Sequence, residues 1–297
     1  MRKHPIIYGI SLVLFVGVIF LLVLHVLSVL RGEERSFSTG DKIGIVTISG
    51  IITNSQEIVE QLDAFGKDKA IKAVVLRIDS PGGGVASSQE IYAAVKGLRK
   101  DKKVVASLGA IAASGGYMIA CAADKIVANP GTITGSISAI MYFANAEDLL
   151  KKIGLKSSII KSGKYKDIGS PIRKMTDDER KILQELVDDI YNQFLDVITK
   201  DRKTSTEEIK RIADGRVFSG RQAQKLKLVD FLGDGSYAVR LAGEMAGIAG
   251  MPDVVYPKKK GVTFWDYVLQ NAATSIAAAI KGRTIPQGVN YLYEFGA

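Results

Sequence analysis

From Lys42 to about Lys166 the chain alternates short β-branched runs with stretches of helical period. The runs "KIGIVTISG", "AVVLRIDS", "KVVASLG", "KIVANP" and "SSIIKSG" are bounded by glycine, proline or serine and read as strands. Between them "SQEIVEQLDAF", "ASSQEIYAAVKGLRK", "SGGYMIACAA" and "AEDLLKKIG" carry apolar residues at helical spacing. Repeated β and α units predict an α/β domain whose sheet is largely parallel and covered on both faces. From Met175 the pattern turns helical. "TDDERKILQELVDDIYNQFLDVITK" opens with a capping box, Thr176 with Glu179. Helices are also predicted in "TSTEEIKRIAD", "SGRQAQKLK", "GSYAVRLAGEMAG" and, amphipathically, "TFWDYVLQNAATSIAAAIKG".

The N-terminus follows a different pattern. Residues 6–30 carry no formal charge, and as a helix they would reach about 37 Å, enough to cross a bilayer with some tilt. The apolar stretch is too long for a cleaved signal and lacks a small-x-small cleavage site, so an uncleaved anchor in the lipid bilayer is expected. Arg2 and Lys3 precede it, which places the N-terminus in the cytoplasm and the bulk of the chain on the extracytoplasmic side of the cell membrane. The organisation expected is a tail over 1–5, the anchor over 6–30, a linker over 31–42, a folded domain over 43–250 and an extension of unassigned role over 251–297. A net charge of +9 favours anionic lipid surfaces. It does not indicate nucleic acid, because the charges are spread along the chain without an aromatic-basic signature.

Absences narrow the chemistry. Cys121 is the sole cysteine, which excludes an intrachain disulfide and a CxxC metal site, and the two histidines, His4 and His25, both lie outside the expected domain. A Ser-His-Asp triad or Cys-His dyad therefore cannot form within the domain. No metal and no cofactor are called for. A serine nucleophile would need lysine or a carboxylate as its base. A lysine at its ordinary pKa is almost wholly protonated at neutral pH, and bringing it to about 8 takes roughly 3 kcal/mol of differential environment.

Three segments could supply the parts. In "RIDSPGGGVASSQEI" a strand stops at Pro81 and passes through Gly82, Gly83 and Gly84 into a helix, leaving bare N–H groups for an oxyanion or merely forming a tight turn. In "GAIAASGGYMIACAAD" Ser114 stands before Gly115 at a helix start, as a nucleophile or as an ordinary N-cap. In "IIKSGKYKDIGSP" Lys161, Lys164 and Lys166 are candidate bases, or a solvated basic loop.

Taken in order, "DSPGGGVASS", "GAIAASGGYMIACAADKIVANPGTITGSIS", "IKSGKYKDIGSP" and "ADGRVFSGRQAQKLKLVD" resemble the signal peptide peptidase SppA family, over about Ile43 to Gly247. The resemblance implies a Clp protease/crotonase-like fold and a membrane-anchored serine endopeptidase that acts through a Ser-Lys dyad on apolar peptides such as signal-peptide remnants. It implies Ser114 as nucleophile, Lys166 as base, Ser136 as the serine orienting that base, and the N–H groups of Gly83 and Gly115 as oxyanion donors. It also implies a ring-like homo-oligomer whose dyads are completed between subunits. Asp167 beside the base would favour the protonated lysine, so its side chain is expected to turn away, toward backbone or an arginine. Two related activities stand as alternatives: a stomatin-type membrane-protein protease and a crotonase-like acyl-CoA enzyme.

Overall fold

The computed structural model describes residues 12–23, 40–257 and 290–292. The chain divides into two units, Met1–Thr39 and Gly40–Ala297. In the first, residues 12–23 form a helix, α1, of exposed apolar side chains, and the remainder of the expected anchor lies outside the described residues. Among the described residues no helix is long and apolar enough to cross a membrane.

The second unit is built on the runs read as strands. β1 (Lys42–Ser49), β2 (Ile71–Ser80), β4 (Lys103–Ala113) and β5 (Lys125–Ala128) pair in parallel, as crossover helices require. The main path of the sheet runs β7-β6-β4-β2-β1-β9, with β6 (Ile133–Gly135), β7 (Val217–Ser219) and β9 (Asp253–Val255). β8 (Phe231–Leu232) adds in parallel to β5, and β7 is the antiparallel member, on β6. The three residues of β3 (Gly82–Gly84) stand apart, paired with β10 (Asn290–Leu292).

Strand periodicity sends alternate side chains to opposite faces. Val46, Ile48, Val74, Leu76, Ile78, Val104, Ala106 and Leu108 pack into the larger core. It is closed by α2 (Gln56–Lys67), α3 (Val85–Leu98), α4 (Gly115–Cys121) and the second half of α6 (Asp177–Arg202). Ile43, Ile45, Ala73, Val75, Val105 and Val127 point the other way, onto α9 (Gly235–Met245). Burial on both faces explains why these strands are near-continuously apolar. Gly44 fits this packing, since a Cβ there would meet the Phe65 ring at 2.5 Å.

Two short helices, α7 (Thr206–Lys210) and α8 (Gly220–Lys225), lead back from α6 to the sheet. The run "TSTEEIKRIAD" is helical only over α7, which ends once Ile209 is buried. The strand expected in "SSIIKSG" is not formed. Residues 157–161 have no sheet neighbour among the described residues and Ile160 is fully exposed, because β7 already occupies the edge of the sheet beside β6. The helix expected from Thr263 lies outside the described residues.

α6 begins as the capping box predicts: Glu179 N–H donates to Thr176 Oγ1 at 3.3 Å, and Thr176 N–H to Glu179 Oε2 at 2.9 Å. Only its second half, with Ile190, Phe194, Leu195 and Ile198, is in the core. The first half, with Ile182 and Leu186 exposed, extends alongside an arm of residues 139–175 that contains α5 (Glu147–Lys152). Between arm and helix lies a cavity of about 680 Å³, lined by Phe143, Met175, Leu183 and Val187 with Arg173 and Arg180. Ser114 does not line it.

Candidate active site

The site grows from the carboxyl ends of three neighbouring parallel strands. Ser80 on β2 is in register with Ala112 on β4, and Ala113 on β4 with Gly135 on β6. Ser114 and Ser136 are the next residues along β4 and β6, and Gly83 follows β2. Four of the five expected site residues, Ser114, Gly115, Ser136 and Gly83, therefore gather at one end of the sheet.

Ser114 occupies the turn from β4 into α4 at φ 54°, ψ −119°, in the region non-glycine residues avoid. Its backbone is held by a bond from its N–H to Gly135 O at 2.8 Å and one from Met118 N–H to Ser114 O at 2.9 Å. The N-cap alternative does not hold, since the side chain makes no capping bond. Ser114 Oγ is buried and has no hydrogen-bond partner among the described residues. A buried hydroxyl without a partner on a strained strand-to-helix turn is unfavourable on both counts. Serine nucleophiles of hydrolases occupy turns of this kind. Gly116 lets α4 come close beneath it, because a Cβ there would lie 2.9 Å from Ser80 O.

Ser136 shares the unusual geometry, at φ 51°, and its N–H donates to Arg216 O at 2.9 Å. Before it, Gly135 sits at φ 87°, and a Cβ there would meet Phe218 Cδ2 at 2.7 Å. β6 is fixed to β4 by side chains as well. Thr134 Oγ1 donates to Ala112 O at 2.6 Å and Thr132 Oγ1 to Gly109 O at 2.7 Å.

Gly83 is placed by Ile52. Ile52 N–H donates to Gly82 O, and Gly84 N–H to Ile52 O, both at 2.8 Å. Groups of successive residues alternate along a strand, so Gly83 turns its own N–H and C=O to the opposite edge. On that edge lies β10, antiparallel, with Tyr291 opposite Gly83. β10 also touches α4, the helix that Ser114 opens.

Lys166 lies elsewhere, on the exposed arm. Its backbone N–H donates to Gly163 O at 3.2 Å. Its ammonium makes no hydrogen bond or ion pair among the described residues, and the fold of one chain does not join it to Ser114 Oγ. Asp167 turns away from it as expected. Arg173 Nε donates to Asp167 Oδ2 at 2.8 Å, Lys161 Nζ holds Oδ1, and these partners, Arg173 first, keep the carboxyl well below the usual carboxylate range. Lys164 is engaged too, with Asp178 at 2.8 Å.

One residue that positions the site is not among the sequence candidates. Between Ile78↔Leu108 and Ser80↔Ala112, β4 gains two residues on β2. Asp79 fills this bulge: its Oδ1 accepts from Ile111 N–H at 3.1 Å, and a Cβ on Gly109 would meet its Cγ at 2.8 Å. The bulge sets where β4 ends and hence where Ser114 stands. An acidic residue closing an otherwise apolar strand, with a glycine in the neighbouring one, is the signal that would have found it.

Nucleophile-type turn, glycine strand and parallel sheet together define a serine-type peptidase on an α/β scaffold of the Clp protease kind, and similarity to known proteins agrees. A Clp protease model matches residues 36–134, and the model "Peptidase family S49" matches residues 96–249. A putative protease of the cyanobacterium Synechocystis is 45% identical over 213 residues, 71% of this chain and 76% of that one. A putative protease of Methanocaldococcus jannaschii is 36% identical over 84% of this chain and 85% of its own. A putative signal peptide peptidase SppA of Enterococcus faecium is 40% identical over 61% of this chain and 53% of its own. The chain belongs to peptidase family S49, as a peptidase of the SppA type.

Proposed function

We propose that this chain is a membrane-anchored endopeptidase in which Ser114 attacks a peptide carbonyl and Lys166 takes its proton. The observation that carries the reading is Ser114 Oγ itself, buried, without a partner among the described residues and raised on a strained turn. The Gly83 and Gly115 N–H groups receive the oxyanion of the tetrahedral intermediate. Lys166 then returns the proton to the leaving amine, and water hydrolyses the acyl-enzyme by the same route. Ser136, beside Ser114 at the end of β6, orients the lysine.

Lys166 reaches Ser114 of a neighbouring subunit. Ile140, Tyr142, Phe143, Leu149, Ile153 and Ile160 are exposed along the arm. Covering them against a second copy would bury apolar area and remove the lysine from water, which favours its neutral form. The anchor over residues 6–30 places the assembly at the membrane, with the domain on the extracytoplasmic side. Substrates are extended apolar segments, signal-peptide remnants among them, as the name of the Enterococcus relative suggests.

The outer edge of β3 supports binding by strand addition, for the chain's own β10 pairs there. A substrate strand must displace it. Tyr291→Pro removes one N–H from that pairing and is expected to lower KM for a peptide substrate roughly two- to tenfold with kcat unchanged. An unchanged KM would mean that peptides bind elsewhere.

The direct test is labelling with a fluorophosphonate probe followed by mapping of the modified residue. The adduct is expected on Ser114, with Ser114→Ala unlabelled and unable to digest casein. An adduct on another serine, or casein digestion by Ser114→Ala, would refute the assignment.

A further inference from the structure

The residue that follows the base is an acid, and an ionised carboxylate within about 4–6 Å of an amine favours its protonated, inert form. "KYKDIGSP" thus carries a conflict in its own sequence. Arg173 resolves it in space. Its guanidinium has five N–H donors, and five bonds leave it. Nε goes to Asp167 Oδ2 at 2.8 Å, Nη2 to Asp167 O at 3.2 Å and to Glu179 Oε1, and Nη1 to Glu179 Oε2 at 2.8 Å and Lys174 O at 3.0 Å.

The far anchor is firm. Glu179 is 2% exposed, belongs to the first turn of α6, and is held a second time by the Thr176 N–H of the capping box. Its carboxyl is lowered to about 2, chiefly by Arg173. Arg173 therefore links the turn bearing Lys166 to a helix rooted in the core.

We propose that Arg173 is a positioning residue for the base: it draws the Asp167 carboxylate away from Lys166 and fixes the Lys166 turn to the start of α6. The inference rests on Lys166 being the base. The local charges are Asp167 and Glu179 against Arg173 and Lys161, two of each sign, with Lys164 paired to Asp178 and Lys174 beside Glu147 of α5. Removing Arg173 leaves this cluster one negative charge in excess beside the base. Removing the Asp167 charge leaves it one positive charge in excess.

The test is the pH dependence of kcat/KM for peptide hydrolysis by the full-length assembled protein, whose acid limb reports the base of the free enzyme. Arg173→Met is expected to move that limb to higher pH by about one unit. Asp167→Asn is expected to move it the opposite way, and the double variant to bring it back near the wild type. Arg173→Lys, which keeps the charge but loses the planar fork, is expected to retain the wild-type limb with a lower kcat. If Arg173→Met does not fold, Asp167→Asn carries the test alone, and an unmoved limb in that variant overturns the proposal. So does a loss of rate in Arg173→Met with the limb unmoved, since a mere brace for the arm would behave that way. Failure of the underlying reading looks different: Lys166→Met would keep its activity, and there would be no base for Arg173 to position.

Discussion

Coexpression of Ser114→Ala chains with Lys166→Met chains is expected to restore peptide hydrolysis, to about a quarter of the wild-type rate if subunits mix at random in a closed ring. Each variant alone is expected to lose about a thousandfold or more in kcat, because one lacks the proposed nucleophile and the other the proposed base. Rescue follows from where the fold places the two residues. Ser114 Oγ is buried at the sheet end without a partner among the described residues, while Lys166 stands exposed on an arm with several exposed apolar residues. A site drawing its serine from one chain and its lysine from the next is intact whenever a Lys166→Met chain supplies the serine and a Ser114→Ala chain the lysine. If the dyad closes within one chain, no chain in the mixture holds both groups and the mixture stays inactive. Folding of each variant is checked by its thermal melt, and mixing by differential tags on the two chains.

The parts of this arrangement were legible in the sequence to different degrees. β1, β2, α2 and α3 were plain because each buries a continuous face, and α6 because its second half does and the Thr176–Glu179 box marked its start to the residue. The turning away of Asp167 could be foreseen from charge alone. "SSIIKSG" misled because two adjacent β-branched isoleucines signal apolar surface seeking cover, and in this chain they are left exposed, not paired in the sheet. β3 was hidden for the opposite reason: three glycines have no side-chain pattern to read, and what makes them a strand is backbone pairing with Ile52 and with residues 290–292, remote in sequence. The same holds for Asp79, whose role in the bulge depends on a register that only the paired strands define.

That dependence on backbone makes neighbouring glycines unequal. At Gly83 a Cβ would lie 2.2 Å from Ile52 O and 2.6 Å from Ile52 N, whereas at Gly84 the nearest atom, again Ile52 O, is 3.6 Å away. Ile52 cannot retreat without giving up the bonds to Gly82 O and from Gly84 N–H, so Gly83→Ala must push β3 out of place. Overpacking of this kind costs about 1–3 kcal/mol. Displacing the Gly83 N–H, a proposed oxyanion donor, costs a further 10²–10³-fold or so in kcat. Gly83→Ala is therefore expected to be nearly inactive with a lowered melting temperature. Gly84→Ala meets only ordinary van der Waals contact and should stay close to the wild type on both measures. Fluorophosphonate labelling separates the two contributions, because a folded Gly83→Ala enzyme that still presents Ser114 should label slowly, not fail to label. Equal activity in the two alanine variants would remove β3 from the catalytic machinery and leave the three glycines as a turn.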